Sequence, residues 1–129
     1  MNNLDDNPRP NGELALQTVA MPKDTNANGD IFGGWLLSQM DIAGSIAAVK
    51  VAGGRVATVA IDSMAFLVPV KVGAIVSCYT DVISVGRSSI QVLVEVWTHG
   101  GEQQRTKVTE GLFVFVAIDE AGRTRSIGT

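Results

Sequence analysis

Between Gly34 and Val51 the chain reads GWLLSQMDIAGSIAAVKV, and this run constrains the fold more than any other. Set on a helix, it is apolar almost all round: Trp35, Leu36, Leu37, Met40, Ile42, Ala43, Ile46, Ala47, Ala48 and Val49 leave no broad wet face. Such a helix is buried, not laid on a surface, so the rest of the chain must wrap around it. Its polar residues Ser38, Asp41 and Ser45 fall at i, i+3 and i+7, on one narrow stripe. Gly53-Gly54 ends it.

From Arg55 onward the apolar period changes to two. Val56–Pro69 reads as a long strand closed by a turn at Pro69–Gly73, and Ala74–Val85 as the next, closed at Gly86-Arg87. Ser88–Thr98 alternates cleanly, with Ile90, Val92, Val94 and Val96 on one face and Gln91 and Glu95 on the other. His99-Gly100-Gly101 reads as a turn that leaves His99 in solvent. Arg105–Ile118 is the last strand; its second half is apolar on both faces, which predicts a central position. Asp119–Gly122 closes it. Ahead of the helix, Leu14–Met21 is a short opening strand and 22–34 a turn-rich connection. Consecutive strands with short turns make an antiparallel sheet. One apolar helix and one such sheet predict an α+β fold, the sheet wrapped around the helix. Residues 1–12 are rich in Asn, Asp, Pro and Gly and predict a disordered arm, leaving residues 13–125 as one domain.

Composition narrows the functional classes. A chain of 129 residues can bury about two-thirds of its surface, enough for a core without staples. One cysteine, Cys78, excludes an internal disulfide framework, and one Cys with one His cannot build a Cys/His zinc site. Cys78 alternates with Val76 and Val82 and reads as core. A net charge of −3 argues against nucleic acid as a partner. Only 18% of residues are charged while 46% are hydrophobic, which points to surface hidden by self-association. No run is long enough for a membrane span, and the polar start MNNLDDNPRPNGE lacks the features of a signal peptide, so a cytoplasmic location is expected.

Chemistry concentrates around the start of the helix. In NANGDIFGGW, residues 26–35, Gly33-Gly34 runs straight into the helix. Unpaired backbone N–H groups and the positive end of the helix dipole there suit an oxygen that gains charge during acyl transfer. A tight turn into the helix would use the same glycines with no ligand. Asp41 is the one carboxylate in the apolar helix, and buried carboxylates are rare unless paired or functional. A bond to Ser38 or Ser45, or a gap in the sheet, would equally account for it. Asn28 and Asp30 are placed to cap or to steady the helix entry, with capping the expected role. Gly34 and Asp41 are seven residues apart, about 10.5 Å along one helix, too far to serve one carbonyl within roughly 3 Å hydrogen bonds. If both are catalytic, each site takes Gly34 from one subunit and Asp41 from another. Gly86-Arg87-Ser88-Ser89 offers one cation and two hydroxyls to a phosphate, or is a polar hairpin turn. No Ser–His pair and no dinucleotide-type glycine fingerprint is present.

The order strand, Gly-Gly lead-in, buried helix and four long strands resembles the hotdog fold. DTNANGDIFGGWLLSQMD (24–41) is similar to the signature of the YciA-type acyl-CoA thioesterases. RVATVAIDSMAFLVPVKVG (55–73), VGRSSIQVLVEVW (85–97) and EGLFVFVAID (110–119) are similar too. The resemblance implies hydrolysis of fatty acyl-CoA, with broad specificity, to free CoA and a carboxylic acid. It implies no cofactor, CoA being part of substrate and product, and no metal. It also implies a homodimer assembled into a hexamer as a trimer of dimers. It matches Asp41 to the general base or nucleophile and Gly34 to the polarising N–H. Asn28 and Asp30 fall beside the site as further catalytic candidates, while Gly33, Arg87, Ser88 and Ser89 fall near substrate and CoA. Two departures stand out. Related enzymes often carry His-Gly-Gly where this chain has Phe32-Gly33-Gly34, and Gly-Asp where it has Gly73-Ala74. Because the protein is net negative, Arg87, Lys107 and Arg105 are the candidates to steer an anionic substrate. Two other hotdog functions compete with this one: a non-catalytic acyl-CoA-binding module, which a missing helix acid would favour, and a dehydratase, which needs a His that the helix lacks.

Overall fold

The computed structural model describes residues 9–99 and 105–128. Strand β1 (Glu13–Val19) leads through a 3-10 turn at Pro22–Asp24 to helix α1 (Gly33–Ala52). Strands β2 (Val56–Phe66), β3 (Ile75–Val85), β4 (Ser89–His99) and β5 (Thr106–Ala117) follow. All pairings are antiparallel, in the order β1-β3-β4-β5-β2. The β3-β4-β5 meander forms the middle, and α1 carries the chain from the β1 edge to the β2 edge. Strand β5 is flanked on both sides, as its two apolar faces predict, with β4 in the centre. Strand β2 ends earlier than the sequence suggests. Its register with β5 slips between Asp62 and Ala65, Ser63 takes a left-handed φ of 55°, and Pro69 beyond has no N–H for a ladder.

The helix packs Leu36, Met40, Ala43, Gly44, Ala48 and Ala52 onto the sheet. Facing them are Val92, Val94, Phe113, Phe115 and their neighbours, all fully buried. Gly44 sets the distance of approach: a Cβ there would lie 2.9 Å from Phe115 Cζ. Gly53, at φ 70°, closes the helix through its N–H to Val49 O.

Three expectations need correction. The helix is not buried all round: Ile42 is 47% exposed, Ile46 38% and Val49 42%. One sheet covers only one side of a helix, so this i, i+4, i+7 stripe is left for something outside the chain. Glu95 lies on the outer sheet face yet is only 2% exposed. Asn11 covers it, donating from its backbone N at 3.3 Å and its Nδ2 at 3.1 Å, while Trp97 Nε1 donates at 2.8 Å. Asn11 is therefore ordered against the sheet rather than part of a free arm; residues 1–8 lie outside the described residues. His99 is half-buried as the last residue of β4, paired with Ile75, and the expected turn partners Gly100 and Gly101 lie outside the described residues. No helix is long and apolar enough to cross a membrane among the described residues.

Candidate active site

The lead-in to α1 is shaped by Asn26. Its Oδ1 accepts from the backbone N–H of Asn28 at 2.9 Å and of Asp30 at 3.1 Å, and its own N–H donates to Asp30 O at 2.7 Å. The loop is then tied to the β2–β3 connection. Ile31 N donates to Val70 O at 2.9 Å, and Lys71 Nζ to Asp30 Oδ1 at 2.6 Å. Asn28 and Asp30 therefore do not cap the helix. Phe32 is the N-cap, with no side-chain cap bond, and the first turn holds no acid. Among the described residues, the N–H groups of Gly33 and Gly34 have no backbone acceptor. Both glycines are exposed, and the space a Gly34 side chain would take is open. The helix thus presents a positive end that no side chain neutralises.

Asp41 is half-buried, two turns further on. Thr58 Oγ1, from β2, donates to its Oδ1 at 2.6 Å. Ser38 and Ser45 instead donate to the helix carbonyls of Trp35 and Ile42, each at 2.8 Å, so neither satisfies Asp41. No ion pair among the described residues involves Asp41. Its carboxylate is oriented by one hydroxyl and adjoins the exposed Ile42 stripe. Thr58 carries no local signal that picks it out. Only the pairing of β2 beside α1 delivers it to Asp41. We expect Thr58→Val to lower kcat about tenfold with KM little changed, and Thr58→Ser to restore it; a Thr58→Val enzyme with normal kcat would show that the bond does not position the carboxylate.

Arg87, Ser88 and Ser89 form a third group at one end of the sheet, and Lys107 and Arg105 lie at the other. Arg87 is exposed in the β3–β4 turn, Ser88 O accepts from Ala117 N at 2.8 Å, and Ser89 O accepts from Gly86 N at 2.8 Å. Lys107 is not a free steering cation: it lies 3.8 Å from Glu95 and also pairs with Glu110. Arg105 stands at the same end of β5 as Lys107, opposite Ser88. Burial pushes the Cys78 thiol up to about 12, so it stays protonated and is no nucleophile. No group of three potential metal ligands is found among the described residues. Beside Gly33 an apolar groove of about 290 Å³ is lined by Ile31, Leu36, Phe66, Leu67, Val68 and Val70.

Residues 28–104 match the family described as the thioesterase superfamily. The acyl-CoA thioester hydrolase YciA of Escherichia coli K12 is 51% identical over 122 residues, spanning 92% of this chain and 92% of its own. The hexameric thioesterase y2039 of Yersinia pestis is 55% identical, with a TM-score of 0.90 over 94% of this chain and 99% of its own. HI0827, a hexameric broad-specificity acyl-coenzyme A thioesterase, is 50% identical, with a TM-score of 0.90 over 96% of this chain and 86% of its own.

Proposed function

Because this chain belongs to the thioesterase superfamily, we propose that it hydrolyses the thioester of acyl-CoA to free CoA and a carboxylic acid. The single observation that carries the mechanism is a pair of poised groups: bare N–H donors at Gly33-Gly34 and a Thr58-oriented carboxylate at Asp41. The thioester oxygen sits on the Gly34 N–H at the positive helix end. Asp41 takes a proton from the attacking water, or attacks the carbonyl carbon itself to form a mixed anhydride that water then opens. The C–S bond breaks and CoA leaves as its thiolate, so no strong general acid is required. The acyl chain lies in the apolar groove beside Gly33, whose open side suits chains of different lengths. Asn28 and Asp30 shape the lead-in rather than handle protons. The reaction consumes only acyl-CoA and water and calls for no cofactor.

The site is shared between subunits. Gly34 and Asp41 of one helix are two turns apart, so each Gly34 works with the Asp41 of a second copy. The exposed stripe Ile42, Ile46 and Val49, with Val59 and Ile61 on the β2 edge, supports a homodimer closed across these surfaces. The hexameric relatives support three such dimers per assembly. Residues 13–125 make up the catalytic domain, and the location is cytoplasmic. A panel of acyl-CoAs of increasing chain length, with detection of the released thiol, tests the activity directly. Release of thiol from several members is expected; release from none overturns the proposal.

Arg87, with Ser88 and Ser89, holds phosphate groups of CoA. Arg87→Ala should raise KM for acyl-CoA more than it lowers kcat, because the contact is shared by ground and transition states. It should also flatten the salt dependence of kcat/KM. Equal damage toward acyl-CoA and an acyl-pantetheine lacking the nucleotide would show that Arg87 reads no phosphate.

A further inference from the structure

Helix α1 takes its direction from the segment before it, and that segment has little support of its own. Residues 27–29 are exposed, and a Cβ at Gly29 would meet nothing within 4 Å. The chain rejoins the body of the protein at Asp30 and Ile31. Ile31 bridges to Thr25, Asp30 bridges to Lys71, and Ile31 N donates to Val70 O at 2.9 Å. Ile31 is 6% exposed and Val70 3%, so the inner contact is apolar. At the surface, Lys71 Nζ donates to Asp30 Oδ1 at 2.6 Å. Among the described residues, this is the one side-chain hydrogen bond or ion pair that joins the lead-in, residues 22–32, to the β2–β3 connection.

The connection on the other side is held at both ends. Leu67 N donates to Val108 O at 2.7 Å, and Gly73 N donates to Ala20 O at 2.8 Å. Between these ties, Leu67, Val68 and Val70 wall the acyl groove together with Ile31 and Leu36. Phe66 stands beside the helix start, its Cζ 3.6 Å from where a Gly33 Cβ would lie. Two backbones thus divide the work. The connection walls the groove, and the lead-in aims the Gly34 N–H. Their spacing fixes where a chain lying in the groove presents its carbonyl.

We infer that Asp30 and Lys71 form a positioning clasp that sets the short-chain end of the substrate range, an assignment that rests on acyl-CoA being the substrate. Neither residue touches the reacting atoms. The clasp acts through the Gly34 N–H, which it keeps in register with the groove. A long acyl chain lies against both backbones and draws them together by its own burial, because a few buried methylenes outweigh an exposed ion pair. Binding energy from the remote part of the substrate then supplies the positioning. An acetyl group reaches too little of the groove to do so, and the clasp alone holds the spacing. A displacement of about 1 Å can cost about a hundredfold in rate, so a loosened lead-in shows in kcat.

The test compares Lys71→Gln, Asp30→Asn, the two combined, and Lys71→Arg with the parent enzyme, each checked for folding by thermal melting. Each is assayed on the shortest and the longest acyl-CoA that the parent hydrolyses. Lys71→Gln and Asp30→Asn should each lower kcat about five- to tenfold on the shortest substrate and less than about twofold on the longest, with KM little changed. The combined variant should be no worse than either alone, since both remove one interaction. Lys71→Arg should keep kcat within about twofold of the parent. Backbone amide exchange at Ile31 and Phe32 should quicken in the two single variants and not in Lys71→Arg. Equal loss of kcat on both substrates, unchanged kcat on the shortest, or additive losses in the combined variant overturns the assignment. A parent that releases thiol from no acyl-CoA overturns the proposed activity instead, and amide exchange still decides whether the clasp orders the lead-in.

Discussion

Asp41→Asn is expected to fold and assemble like the parent and to lose thioester hydrolysis by about 10²–10⁴-fold, the usual contribution of a positioned base. The substitution preserves shape. An amide oxygen at this position still accepts the Thr58 hydroxyl now 2.6 Å from Oδ1, and no ion pair is broken among the described residues. What disappears is the carboxylate that takes the proton or attacks the carbonyl. KM should change far less than kcat, since Asp41 acts at the transition state. Near-normal turnover by a folded Asp41→Asn protein would sink its assignment. A single turnover in oxygen-18 water identifies one route for the parent enzyme: label in the Asp41 carboxylate requires an anhydride opened at the Asp41 carbon, whereas direct water attack and opening at the acyl carbon both put the label in the first acid released.

Mixing two inactive variants should recover activity. Gly34→Pro removes the proposed oxyanion donor in the first turn of α1, where proline breaks no intrahelical bond. Asp41→Asn removes the base. Each parent homodimer has two damaged sites. In a mixed dimer with shared sites, one site carries both lesions and the other is intact. Random exchange of equal amounts should restore about a quarter of the original sites from a nearly silent background. Exchange proven by mass spectrometry without recovered activity would place both groups in one subunit. The structure makes that hard to reconcile with a helix that rises about 1.5 Å per residue between them.

The helix, its glycine stop and the four long strands were legible because each depends on neighbours within a few positions. A 3.6 or 2.0 period, or a glycine at φ 70°, is a local property of the chain. The glycines at 33 and 34 and the acid at 41 were legible for the same reason: each is out of place in its own segment. Their partners were not. Thr58 meets Asp41 across 17 positions, Lys71 meets Asp30 across 41, Ser126 meets Arg87 across 39, and Asn11 meets Glu95 across 84. Thr58 looks like any threonine in a strand, and Lys71 like any turn lysine.

Asn28 and Asp30 show how a correct local signal can be assigned the wrong task. Residue types that favour helix caps stand just before a helix, but Asn26 turns the backbone first, and Lys71 draws the Asp30 carboxylate away. Lys107 was open to a steering role until the sheet set it between Glu95 and Glu110. Hydrophobic pattern alone determined that Ile42, Ile46 and Val49 favour leaving water, but not whether the chain's own sheet would cover them. Only the tertiary structure decided that, because the sheet reaches just one side of the helix and leaves these three residues exposed. Pattern records which atoms avoid water; the path of the backbone in space decides which atoms meet.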